Sequence, residues 1–362
     1  MSEWKEYKLG EIATFSYGKL PNKILLGKGP YVVYSGYKYL EHYPEYNCNV
    51  GDVILVARGV GGTGDVKLVN RKCFLTNLSI KIDLDNDVIL NEYFYYIYQI
   101  ENLRFLDSGS AQSQITIQDL SNVAISLPPL SEQIRITSIL SSLGDKIDLL
   151  HRENKTLEAM AETLFRQWFI EEAKEDWEKV SLTRVANFLN GLACQKFPPK
   201  NEIEKLPILK IRELSNGIGD DSDYATTDVE KEYIVHAGDV IFAWSASLMI
   251  KIWDGRHCIL NQHLFKVTSE KYPKWFYYFW CKHHLDEFIS IAQSHATTMG
   301  HIKRKDLENA IVLVPTSSEL KTMTEQIEYL LQKIENNNKQ IQTLIQQRDS
   351  LLPKLMSGEV KI

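Results

Sequence analysis

Arg58-Gly-Val-Gly-Gly-Thr-Gly64 comes nearest, by residue type and spacing, to a known phosphate-binding chemistry. It holds Gly59-x-Gly61-x-x-Gly64 behind an apolar strand, with Gly62 and Thr63 inside the loop. A dinucleotide site of that spacing needs a helix N-terminus to face the pyrophosphate. Here Asp65-Val-Lys-Leu-Val follows and reads as another strand, and no Lys-Ser/Thr pair completes a P-loop. The nucleotide reading is rejected. A flexible glycine-rich loop beside Arg58 suits instead the close approach of a DNA backbone. A later loop, Trp244-Ser245-Ala-Ser247, occupies the corresponding place, with Trp244 standing where the first has Arg58.

Other polar groups fall into two sets. Ser108-Gly-Ser110-Ala-Gln112-Ser-Gln114 and Ser294-His295-Ala-Thr297-Thr298-Met-Gly-His301 each lie between an aromatic helix and a closing strand. Hydroxyls, amides and imidazoles there suit hydrogen bonds to base edges and phosphates. Lys303 and Arg304, followed by Lys305, form a basic cluster suited to phosphate. Lys210, Arg212 and Asn261-Gln262-His263 are weaker candidates, as are Lys19, Tyr34 and Ser35 earlier on. Cys281-Lys-His283-His284 does not make a metal site, because adjacent histidines on a helix face different ways. The five cysteines are scattered without a Cys-x-x-Cys pair, which predicts reduced thiols and no structural zinc.

These residues recur because the chain repeats. Trp4…Leu9…Ile12…Phe15…Gly18 matches Trp177…Leu182…Val185…Phe188…Gly191, 173 residues on (18 to 191). Gly51-Asp-Val-Ile-Leu matches Gly238-Asp-Val-Ile-Phe 187 residues on (51 to 238). Collinear matches of this kind mark a tandem duplication. Each copy is rich in short strands, with one aromatic helix late, expected over Asn91–Leu106 and Pro273–Ile291. The predicted class is α+β.

A long helix follows each copy. Leu143, Ile147, Leu150, Leu157, Ala161, Leu164 and Trp168 step by four and three, with Asn154 in the remaining slot. Met323, Ile327, Leu330, Ile334, Asn337, Ile341, Leu344, Arg348, Leu351 and Leu355 step likewise. That is the heptad seam of a coiled coil. Forty residues of helix make a rod of about 60 Å, and each seam finds its simplest partner in the other. Antiparallel pairing would bring Asn154 and Asn337 together, fixing register. The division is 1–130, a first module; 131–175, a helix; 176–315, a second module; 316–362, a second helix.

With 41 basic and 47 acidic residues the formal charge is −6, which counts against a stand-alone nucleic-acid binder. The polar N-terminus carries no signal peptide, and no apolar run spans a membrane. A cytoplasmic protein is expected.

The runs Leu127-Pro-Pro-Leu-Ser-Glu-Gln-Ile, Glu162-Thr-Leu-Phe-Arg-Gln-Trp-Phe169 and Leu351-Leu-Pro-Lys-Leu-Met-Ser-Gly-Glu-Val resemble the specificity (S) subunit of type I DNA restriction–modification systems, over the whole chain. The resemblance implies two target-recognition domains, each reading half of a split, asymmetric site in double-stranded DNA, with paired helices setting the gap. It implies two methyltransferase (M) subunits docked on those helices and two restriction (R) subunits. S-adenosylmethionine, ATP and Mg would belong to these partners, leaving this prokaryotic chain without cofactor or catalytic site. Adenine methyltransferases carry Asn/Asp-Pro-Pro-Tyr/Phe, whereas Pro128-Pro129 is flanked by Leu127 and Leu130. A coiled-coil adaptor recognising protein rather than DNA is the alternative.

Overall fold

A computed structural model describes residues 4–36, 38–59, 62–107, 114–219, 221–294 and 300–360. The chain forms two compact units, Met1–Asp148 with Gln342–Ile362, and Leu149–Ile341.

In the first unit Gly51-Asp turns into Val53–Val56, all four residues buried. An unbroken apolar run is what a strand covered on both faces requires. It lies in an antiparallel sheet between Ser79–Leu84 and Val66–Leu68, with Ala13–Tyr17 beyond Ser79–Leu84. The Asp65-Val-Lys-Leu-Val stretch therefore contains a strand. A second sheet sets Tyr31–Ser35 parallel to Cys73–Leu75. Lys5–Lys8 pairs antiparallel with Ala124–Leu127, so the module's first and last strands close on one another.

The second unit repeats this plan. Val240–Ala243 lies between Leu264–Thr268 and Met249–Ile252, with Asn187–Asn190 outside. Lys205–Leu209 runs parallel to Cys258–Leu260, and Glu178–Ser181 pairs with Ile311–Val314. The mixed α+β class is as the sequence predicts.

Both aromatic helices are interrupted. Asn91–Ile100 ends before Asn102, whose Oδ1 accepts the Arg104 N–H at 3.1 Å and starts a 3₁₀ turn over Leu103–Leu106. Lys274–His283 and Leu285–Ser294 are separate helices divided at His284, whose Nε2 donates to the Ile311 carbonyl at 2.9 Å. Their aromatic faces are core, as expected: Tyr93, Phe94 and Tyr98 in one copy, Trp275 through Cys281 in the other.

The long helices are Leu130–Arg166 and Ser317–Met356, the latter carrying Pro353 in its last turns. Gln133 anchors the first. Fully buried, it donates to the carbonyls of Val88 and Pro128 and accepts the Leu90 N–H. After Arg166 the helix widens into a π turn, Gln167–Glu171, closed by Glu172 N–H on Gln167 O. The wider turn directs Phe169 into rings from Phe165, Trp177, Trp275 and Trp280. The two helices pair within each unit. Ile136 and Leu140 share the first unit's core with Leu355 and Met356. Leu157, Ala161 and Leu164 share the second's with Ile327 and Leu330.

Candidate nucleic-acid interface

Strand Val53–Val56 runs out into Ala57 and Arg58, whose N–H groups both donate to the Leu78 carbonyl at 3.0 Å. Ile115 N–H donates to the Ala57 carbonyl at 3.0 Å, and Arg58 forms an antiparallel bridge with Gln114. The guanidinium of Arg58 lies 6.0 Å from the centre of the Tyr17 ring. Its Nε is buried with no hydrogen-bond partner. Gly59 then turns at φ 138°, and Thr63 Oγ1 donates back to its carbonyl at 2.9 Å. Gly64 passes so near Leu103–Arg104 that a Cβ there would sit 2.4 Å from the Arg104 nitrogen. The glycines thus serve a clasped loop at a strand end.

The same backbone connections recur in the second module. Trp244 N–H donates to the His263 carbonyl at 3.3 Å, Ile302 N–H to the Trp244 carbonyl at 3.1 Å, and Ser245 bridges His301. Ser245 is therefore the counterpart of Arg58, and Trp244 that of Ala57. This corrects the sequence match of Trp244 to Arg58, which followed side-chain prominence where the ladder fixes register. Ala246 replaces Gly59 and holds φ 57°, the only positive-φ residue other than glycine among those described. A strained residue that the surrounding bonds enforce is a mark of functional loops. Trp244 stacks on Phe265 at 5.6 Å, stands 6.0 Å from the His263 ring and 6.3 Å from that of His301, and donates from Nε1 to Asn190 Oδ1 at 3.1 Å. Ser245 Oγ and His263 Nδ1 are 3.0 Å apart.

The remaining candidates divide. Gln262 is half-buried, and His263, His301, Ser247, Lys303, Arg304 and Lys19 are exposed. Lys19 follows Gly18, whose missing side chain lets the backbone meet the Leu75–Thr76 carbonyls. Tyr34, Thr63, Ser245 and Asn261 are buried, and Gly62 with them. Ser35 is half-buried and accepts the Thr76 hydroxyl at 3.3 Å. Lys210 pairs with Asp223, and Arg212 with Glu213 and Asp221, both at 2.6 Å. Gly61, Ser108, Ser110, Gln112, His295, Thr297 and Thr298 lie outside the described residues. The sequence reading missed Tyr17, Asn190 and Phe265. Tyr17 and Asn190 immediately precede the repeated Gly18 and Gly191, which was the available signal.

All five cysteines are buried. Burial pushes the Cys258 thiol up to about 12 and raises those of Cys194 and Cys281, which is the reverse of an activated nucleophile. No cluster of three or more His, Cys, Asp or Glu able to hold a metal occurs among the described residues. Nor is any described helix long and apolar enough to cross a membrane.

The type I restriction modification DNA specificity domain matches residues 1–159 and again 174–347. The chain belongs to this family. The type I restriction enzyme MjaIX specificity subunit of Methanocaldococcus jannaschii is 25% identical over 343 residues, covering 86% of this chain and 78% of that one. The MjaVIII specificity subunit of the same organism is 23% identical over 407 aligned positions, covering 99% and 93%. Among solved structures, the S subunit of the type I restriction–modification system from M. genitalium superposes with a TM-score of 0.61 at 17% identity. That match covers 98% of this chain and 96% of that one, and it shows a shared fold. The two family domains fall on the two copies seen in the sequence, each carrying the bridge loop just described.

Proposed function

We propose that this chain is the DNA-recognition subunit of a type I restriction–modification complex, each module binding one half of a bipartite, asymmetric site. The reading rests on family membership together with one observation. The same backbone bridge holds Arg58 and Gln114 in one module and Ser245 and His301 in the other. One frame with two side-chain sets is what an asymmetric two-part site needs.

In this reading the paired helices set the gap between half-sites and dock two methyltransferase subunits, with two restriction subunits completing the assembly. S-adenosylmethionine, ATP and Mg act in those partners, and this chain binds without catalysing, in a prokaryotic cytoplasm. Partners that supply further phosphate contacts fit a recognition subunit whose own charge is −6.

The test is a map of methylated adenines in cells co-expressing the chain with the methyltransferase encoded beside it. The expected result is a motif of two short halves separated by a constant gap, of which exchanging residues 1–130 alters one half alone. Methylation that is absent, or indifferent to this chain, would overturn the reading in favour of a protein-binding adaptor.

A further inference from the structure

Residues paired across an antiparallel bridge project to the same face, with Cβ atoms about 5 Å apart. Arg58 and Gln114 are such a pair, as are Ser245 and His301. Their surroundings differ. In the second module Ser245 Oγ meets His263 Nδ1, and Trp244 Nε1 is taken by Asn190. In the first, no hydrogen bond or ion pair to the Arg58 side chain occurs among the described residues, although its Nε is buried. Lys81, on the strand beside Val53–Val56, by contrast pairs with both Asp52 and Asp83, and in the second module Arg212 pairs with Glu213 and Asp221. A desolvated, unpartnered donor is costly and calls for a reason. The Tyr17 ring lies at the outer reach of a cation–π contact with the guanidinium, its centre 6.0 Å away.

We infer that Arg58 reads a guanine in the half-site of the first module, its planar fork meeting O6 and N7 in the major groove. The inference rests on the DNA-recognition reading above and goes beyond it by naming the base and the residue. The guanidinium is the side chain whose donors match that edge in pairs, whereas a phosphate contact would need only charge. Ser245 occupies the equivalent position in the second module and lacks any such fork. A forked contact of this kind is therefore not available at that position in the second module.

The experiment uses the chain in complex with its methyltransferase partner, after the methylated motif has been mapped. Duplexes carry 7-deazaguanine, which lacks the N7 acceptor, at each guanine of the first module's half-site in turn. At one such position wild-type binding is expected to weaken roughly 10- to 100-fold. Arg58→Ala should weaken binding to the natural duplex by a similar factor and then ignore the replacement. Arg58→Lys should keep the salt dependence while weakening the preference for guanine at that position, since the ammonium reaches O6 and N7 without the rigid fork. The second half-site, unchanged in each variant's methylation map, reports that the complex still assembles. A first half-site without guanine overturns the inference, as do losses from variant and modified base that simply add. A motif left intact while the salt slope of Arg58→Ala falls would make Arg58 a phosphate contact instead. If the wild-type chain directs no motif at all, it is the recognition reading that fails.

Discussion

Asn337 Nδ2 donates to Asn154 Oδ1 at 2.9 Å across the helix pair of the second unit, and Asn337 is only 2% exposed. The same amide reaches Glu153 Oε2 at 3.1 Å, and Asn154 Nδ2 donates to Asn338 Oδ1 at 2.7 Å. A polar pair in an apolar seam is satisfied in one register only. A slip of one turn would leave amides facing leucine, so the pair gives up stability for alignment. Asn154→Leu combined with Asn337→Leu is expected to raise the thermal midpoint while permitting chain-exchanged dimers beside the monomer. Native mass spectrometry reads the species directly. A single monomeric form in the double variant would remove the register role.

Glu319 makes a pH-dependent clamp at the start of the C-terminal helix. Its carboxylate accepts Lys174 Nζ at 2.5 Å, Trp177 Nε1 at 3.2 Å, and both the N–H and hydroxyl of Thr316 at 3.0 and 2.6 Å. The Lys174 ammonium, with Thr316, holds the carboxyl at about 2, well below its ordinary range. A carboxyl depressed in the folded state adds stability that is present above its unfolded pKa and lost as pH falls through the folded one. Glu319→Gln should therefore lower the melting temperature at pH 7. The gap from wild type should close between about pH 5 and pH 2. Thermal melts across that range check it, and a gap independent of pH would show that charge plays no part.

The apolar skeleton was legible because burial forces it. Val53–Val56 and Val240–Ala243 are covered on both faces and so had to read as unbroken apolar runs. The Asn154–Asn337 meeting followed from the heptad spacing once the two helices were taken to pair antiparallel. The break at His284 was not legible, since apolar spacing runs through it and the bond that divides the helices goes to Ile311, far along the chain. Lys210 and Arg212 looked available because composition does not say which cation has a partner. That depended on the turn bringing Asp221 and Asp223 back beside them. Trp244 was matched to Arg58 by prominence, and only backbone hydrogen bonds could show that Ser245 holds that place.

Glycines separate into those the fold needs and those it tolerates. A Cβ on Gly18 would stand 2.3 Å from the Thr76 carbonyl oxygen, and one on Gly191 2.3 Å from that of Asn261. The obstacles are backbone in both modules and cannot swing aside. Gly18→Ala or Gly191→Ala is expected to cost about 1–3 kcal/mol, and hydrogen exchange should localise the loosening to the substituted module. Gly144 lies within the central helix with nothing inside 4 Å of the added carbon. Gly144→Ala should stabilise by about 0.5–1 kcal/mol, the ordinary gain on removing a helix-interior glycine. Denaturant titration of the three variants decides, and equal effects at all three positions would discount the close approach.

Lys303 and Arg304 stand exposed at the head of the short helix Arg304–Asn309, just beyond the Ser245–His301 bridge, and form no ion pair among the described residues. Lys210 sits in the same module, already neutralised by Asp223. Each phosphate contact contributes close to one unit to the slope of log K against log salt. Replacing Lys303 and Arg304 together by alanine is therefore expected to flatten that slope by about 2 for the complex with its methyltransferase partner, leaving the methylated motif unaltered. Lys210→Ala should leave both slope and motif as they are, because the charge it removes was already balanced. A slope unmoved by the paired substitution would place this basic cluster off the DNA. A shallower slope in Lys210→Ala would mean that its pairing with Asp223 opens when DNA binds.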